Sequence, residues 1–159
     1  MDSFIPPGIP RFSTATSPGA IPVIPQALAH ARNQLGILEN ARGRYDEAAV
    51  HLEESLRVAA ELDDAAVRSA ALNNFAQTAR LRGEIERALD LTREALEICI
   101  QQGDSHHEAA IRNNLADLLH STGDSDGAME QLKTATAVLA RIGDEPAGML
   151  PEVWKLGEW

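Results

Sequence analysis

The sequence predicts an all-α protein: an α-solenoid of three antiparallel helical hairpins, with a short C-terminal capping helix and an extended N-terminal tail. Three observations predict it. Aromatic residues make up only 4% of the 159, and alanine and leucine supply most of the 44% apolar content, a composition of strong helix formers poor in strand formers. Six of the eight prolines fall in residues 1–25, and none follows until Pro146. Between those limits Gly43, Gly83 and Gly123 recur at one spacing of 40 residues.

Residues 1–25 read as an extended or disordered tail, because proline lacks a backbone N–H and fixes φ. Its apolar residues Ile5, Ile9, Phe12, Ile21, Val23 and Ile24, and the PxxP spacings Pro7/Pro10 and Pro22/Pro25, support a second reading: a segment that docks on the body or on a partner. From Gln26 the pattern turns helical. Leu72, Phe75, Ala76 and Ala79 recur at i, i+3, i+4 and i+7, the spacing of one helix face. Ala88, Leu91, Ala95 and Cys99 form one stripe beside a second of Ile85, Leu89, Leu96 and Ile100. Two adjoining stripes imply a helix packed on two sides.

The 40-residue spacing also relates Ala48, Ala88 and Ala128; Asn33, Asn73 and Asn113; Leu35, Phe75 and Leu115; Gly36, Ala76 and Ala116; and Asp64, Asp104 and Asp144. Six columns at one offset define three copies of a unit, over residues 26–64, 65–104 and 105–144. Each column has a physical task. The glycines end the first helix of each unit in the left-handed conformation. The aspartates sit where N-caps belong, and Ser105 with Glu108 has the spacing of a capping box. The small residues let the two helices of a hairpin approach closely. Residues 145–159 do not continue the pattern, since Pro146, Gly148 and Pro151 interrupt it. A short helix from Pro151, with Trp154 and Leu156 covering the last hairpin, is the economical end for an array.

The stretches ALNNFAQTARLRGEIERALDLTREALEI from Ala71 and IRNNLADLLHSTGDSDGAMEQLKTATAVL from Ile111 resemble the tetratricopeptide-repeat family. The family roles fall on Phe75, Ala76, Gly83, Ala88 and Ala95, then on Leu115, Ala116, Gly123, Ala128 and Ala135. Leu35, Gly36, Gly43, Tyr45, Ala48 and Ser55 match in the first unit. The period departs from the usual ~34 residues and is similar to that of the longer-helix branch that includes kinesin light chains and the sensor arms of bacterial regulators. HEAT repeats have periods near ~40 as well; the glycine followed five residues later by alanine favours the first resemblance.

The resemblance implies a protein–protein interaction module, not an enzyme, that binds an extended peptide of a partner in a groove lined by the first helices. Carried over position by position, that groove is lined by Asn33, Ile37 and Asn40, by Asn73, Gln77 and Arg80, and by Asn113, Asp117 and His120. Amides at one height in every unit can pair with a peptide main chain without reading its side chains. Asn74 and Asn114, one residue later, are the candidates for ties between adjacent helices. Two alternatives stand beside this reading: a sensor or regulatory arm working with a signalling ATPase, cyclase or transcription regulator, and a structural module that self-assembles, for example as a homodimer.

Charge and motifs narrow the remaining classes. The net charge of −10 repels nucleic acid and anionic lipid alike, so neither is an expected partner. Cys99 is the single cysteine, flanked by Ile98 and Ile100, and is expected as a buried small hydrophobe. No secretory leader is read in the first residues, which makes the cytoplasm the expected location. There is no phosphate loop, HExxH, CxxC or GxSxG motif, and His106 and His107 are adjacent and diverge on a helix. No metal, cofactor or catalytic residue is expected.

Overall fold

The computed structural model describes residues 23–143, and all of its regular elements are helices: α1 (Val23–Ala41), α2 (Tyr45–Glu61), α3 (Ala65–Leu81), α4 (Ile85–Gln102), α5 (Ser105–Ser121) and α6 (Ser125–Gly143). The pairs α1–α2, α3–α4 and α5–α6 pack as hairpins, and each second helix packs on the first helix of the next unit. The expected solenoid of three hairpins is therefore present. Helix α1 begins before Gln26 and takes Val23, Ile24 and Pro25 into its first turn, where an N–H has no intrahelical acceptor and proline is tolerated. The remainder of the tail, Asp144, and the expected cap with Trp154 and Leu156 lie outside the described residues.

The turns follow from single residues. Gly83 closes α3 in the left-handed region at φ 79°, as do Gly43 and Gly123 in their own units, and Glu84 N donates back to Ala79 O at 2.8 Å. Asp64 Oδ1 accepts from Val67 N at 3.0 Å, and Asp104 Oδ1 from His107 N at 3.1 Å, so both aspartates are N-caps. The Ser105–Glu108 capping box does not form. Asp104 already caps α5, and Glu108 instead pairs along the helix with Arg112 at 2.9 Å. A cap column absent from the sequence reading closes the second helices: Gly103 at the end of α4 and, at the corresponding place after α2, Asp63 with φ 53°.

Within a hairpin the helices touch through the small residues. Ala48 and Ala88 have no exposed surface, and Ala128 is buried. A Cβ on Gly36 would lie 2.5 Å from Leu52 Cγ, so α2 sits directly on the α1 backbone. Ser55 Oγ donates to Ala29 O at 2.8 Å and Ser69 Oγ to Ala95 O at 3.2 Å, tying each of the first two hairpins together near its open end. Cys99 is buried beside Ser69.

The apolar core is unevenly divided. One continuous cluster spans α3, α4 and α5, with Leu72, Leu89, Leu96, Cys99, Leu115 and Leu118 among its members. The first hairpin meets the second through two small clusters, one of Ala29, Val58, Ala59 and Val67 and one of Ala49, Leu52 and Phe75, and through Leu56, which also packs on the edge of the main one. Ala109, Ala135 and Val138 join α5 to α6. No described helix is long and apolar enough to cross a membrane.

Candidate peptide groove

Helices α1, α3 and α5 lie one after another in register, so a position in the first helix of a unit recurs along one face of the stack. The expected groove positions fall into two groups on that face. Ile37, Arg80 and His120 are exposed, and Gln77, Asp117, Asn73 and Asn113 are half-buried. Asn33, by contrast, is only 6% exposed, and Asn40, half-buried, donates through Nδ2 to Thr78 Oγ1 of α3 at 2.9 Å.

The asparagine columns form one device rather than two. Asn74 Nδ2 donates to Asn33 Oδ1 at 2.9 Å, and Asn114 Nδ2 donates to Asn73 Oδ1 at 2.8 Å. Each junction between units is thus tied by an acceptor from one column and a donor from the next. The sequence showed both columns but could not show this link, which crosses the repeat at an offset of 41. The third acceptor, Asn113 Oδ1, is buried and has no hydrogen-bond partner. Asn33 and Asn40 therefore have structural ties, whereas Gln77, Arg80, Asp117 and Asn113 have no inter-unit hydrogen bond among those described.

The face carries little charge: Arg80 is a cation in the last turn of α3, Asp117 is a carboxylate on α5, and His120 lies one turn further on. The perturbed groups lie elsewhere. The Asp104 carboxyl is held below the usual aspartate range by the His107 ring, whose Nδ1 is 2.6 Å from Oδ2, against a smaller opposing effect of burial. Burial pushes the Cys99 thiol up, with the Ser69 hydroxyl opposing it, which leaves the sulfur protonated and unreactive at neutral pH. Between α3, α4 and the start of α5 lies a shallow crevice of about 200 Å³ lined by Ser69, Ile98, Cys99 and Asp104, below the ~300 Å³ at which small-molecule sites begin. No group of three or more His, Cys, Asp or Glu residues is placed to hold a metal among the described residues.

Comparison with known proteins agrees with this geometry. The family model described as "Tetratricopeptide repeat" matches residues 27–101 and 68–141. No curated protein matches the chain in sequence. Among solved structures, the TPR domain of Arabidopsis FLU superposes with a TM-score of 0.68 at 16% identity, over 74% of this chain and 98% of that one. BtubC (BKLC) from P. vanneervenii gives 0.69 at 20% identity, over 76% of this chain and 50% of its own. A putative kinesin light chain from Podospora anserina with nearly identical TPR-like repeats gives 0.65 at 22% identity, over 77% and 60%. The chain thus spans about half to three-fifths of the latter two.

Proposed function

Because the chain belongs to the tetratricopeptide-repeat family, whose repeats generally serve as protein–protein interaction modules, we propose that it binds an extended segment of a partner protein along the face of α1, α3 and α5. The observation that carries this reading is the row of exposed and half-buried polar side chains at recurring heights on the first helices: Gln77 and Arg80 on α3, and Asn113, Asp117 and His120 on α5. Amides and one or two charges along such a row can bond a peptide backbone and leave sequence discrimination to a few positions. Asn33 and Asn40 belong to the wall rather than to the contact surface, since they tie α1 to α3. Asn73 contributes through its Nδ2, because its Oδ1 already accepts from Asn114.

Peptides selected from a random displayed library supply the test. The variants Gln77→Ala and Asn113→Ala break no inter-unit hydrogen bond, so they should lower affinity about five- to tenfold each, the value of one net hydrogen bond, without lowering the melting temperature. N-methylation of the central peptide amides should weaken binding by a similar factor. Peptides whose affinity is indifferent to both substitutions and to N-methylation would place binding elsewhere.

A further inference from the structure

The two ends of the described stack match each other as its interior junctions do. On α1, Ile24, Leu28, Leu35 and Leu38 are all exposed, together with Ala31. Their spacings of 4, 3, 4 and 3 residues line them along one helix face. Ala31, Leu35 and Leu38 have covered counterparts in the inner units: Leu38 is 51% exposed where Thr78 is 0% and Leu118 2%, and Leu35 is 38% exposed where Phe75 and Leu115 are both 4%, whereas Leu28 corresponds to the exposed Arg68. The exposed stripe on α1 is therefore the surface on which a preceding hairpin would sit. At the opposite end Met129 is 52% exposed where Ala49 is 6% and Leu89 5%, and the neighbouring Leu132 and Leu139 are half-buried. That surface is the one a following hairpin would cover.

Polar groups repeat the match. The donor column of Asn74 and Asn114 begins, one unit earlier, with Gln34 on α1, whose amide is exposed where the two asparagines are half-buried in their junctions. Ion pairs at the first interior junction join Arg82 to Asp46 at 3.4 Å and Arg87 to Glu53 at 3.6 Å. Shifted to the ends, these positions are Arg42 opposite Asp126 and Glu47 opposite Lys133. Both remain pairs of opposite charge, the second with its signs exchanged.

We infer that a second copy of this chain docks its α1 face on the α5–α6 face of the first, continuing the stack with a junction like those inside it. The segments outside the described residues fit these faces less well. Residues 1–22 contain Pro6, Pro7, Pro10, Pro18 and Pro22 and cannot supply a helical hairpin. Residues 144–159 are fewer than one hairpin of the stack and could cover one end but not both. Docking one copy on the next satisfies both ends at once. The contact is heterologous, so the assembly lengthens with concentration instead of stopping at a symmetric dimer.

Sedimentation of the full chain tests this. The weight-average mass should rise above the monomer's 17.1 kDa as concentration increases, without a plateau at twice that value. Leu38→Glu on one face or Met129→Glu on the other should each weaken association at least tenfold. Both residues are half-exposed, so helicity should be unchanged; Leu35→Glu replaces the first variant if it is not. An equimolar mixture of the two variants should form a dimer and nothing larger, because each retains the face that the other lacks. A chain that stays monomeric at every concentration overturns the inference, including one that associates only after residues 144–159 are removed. So does association lost in one variant alone, or a mixture of the variants that remains monomeric. None of these outcomes bears on the peptide face, which is assayed separately.

Discussion

Substituting alanine for Gly36 sets two opposed energies against each other, and the structure says which is larger. In the middle of a helix the change alone is worth about 1 kcal/mol in favour of the folded state. The new methyl, however, would lie 2.5, 2.8 and 3.1 Å from the Cγ, Cδ2 and Cδ1 atoms of Leu52. Leu52 has no exposed surface, and it is held in a cluster with Ala49 and Phe75, so it has no empty space to swing into. Overpacking of this kind costs about 1–3 kcal/mol, and the variant should be less stable by up to about 2 kcal/mol. Leu52→Ala alone should cost about 2–5 kcal/mol through the cavity it leaves. In that background the alanine methyl partly fills the cavity and the helix gain survives, so Gly36→Ala should become stabilising by about 1 kcal/mol. The sign reversal corresponds to a coupling of about 2 kcal/mol, as expected for residues in contact. Urea unfolding of the four proteins, followed by helical circular dichroism, measures it. A Gly36→Ala variant that is more stable than the parent, or equally affected in both backgrounds, would refute the claim that α2 lies directly on the α1 backbone.

Three further outcomes follow from the same coordinates. Asn114→Ala leaves Asn73 Oδ1 without its donor and should cost about 1–3 kcal/mol, whereas Asn113→Ala, which breaks no such bond, should leave the melting temperature unchanged or slightly raised; equal losses would contradict the ladder. Asp63 adopts φ 53° where the corresponding Gly103 has 68°, so Asp63→Gly should raise stability by about 0.5–1 kcal/mol, read as a melting shift of a few degrees upward. The folded-state pKa of Asp104 lies below its ordinary 3.8, so its charge supports the fold above that value and the support is lost as pH falls through and below it. Asp104→Asn keeps a capping oxygen without the charge, and its stability relative to the parent should improve as pH falls from about 4 downward. Parallel stability curves would remove Asp104 from the pH dependence.

Much of the scaffold was legible because its determinants are local and recur. The left-handed turns at Gly43, Gly83 and Gly123 and the caps at Asp64 and Asp104 are each set by one side chain, and repetition at 40 residues separates such signals from chance. The column of Asp63 and Gly103 escaped notice because two different residues satisfy the same backbone demand. The Ser105–Glu108 pair had the spacing of a capping box, but Asp104, one residue earlier, is already the cap and Arg112 offers Glu108 a charged partner. For the candidate groove, sequence position could indicate which face a residue occupies but not which neighbour its amide would find. Asn33 and Asn73 were legible as a recurring column; their bonds to Asn74 and Asn114 depend on how far one hairpin is displaced over the next, a quantity set by packing rather than by periodicity.

The lopsided division of apolar contacts has a mechanical consequence. One unbroken cluster runs through α3, α4 and α5, and only Leu56 of α2 packs on its edge; α6 is held to α5 by a cluster of its own, and α1–α2 meets α3 mainly through two small clusters interspersed with amide and hydroxyl contacts. Under tension applied at the two ends, or during brief native-state openings, the outer helices α1, α2 and α6, whose own residues lie outside that cluster or at its edge, should open before α3, α4 and α5 separate. Slow amide exchange would then concentrate in α3, α4 and α5, and limited proteolysis would first cut around Leu62 to Asp64.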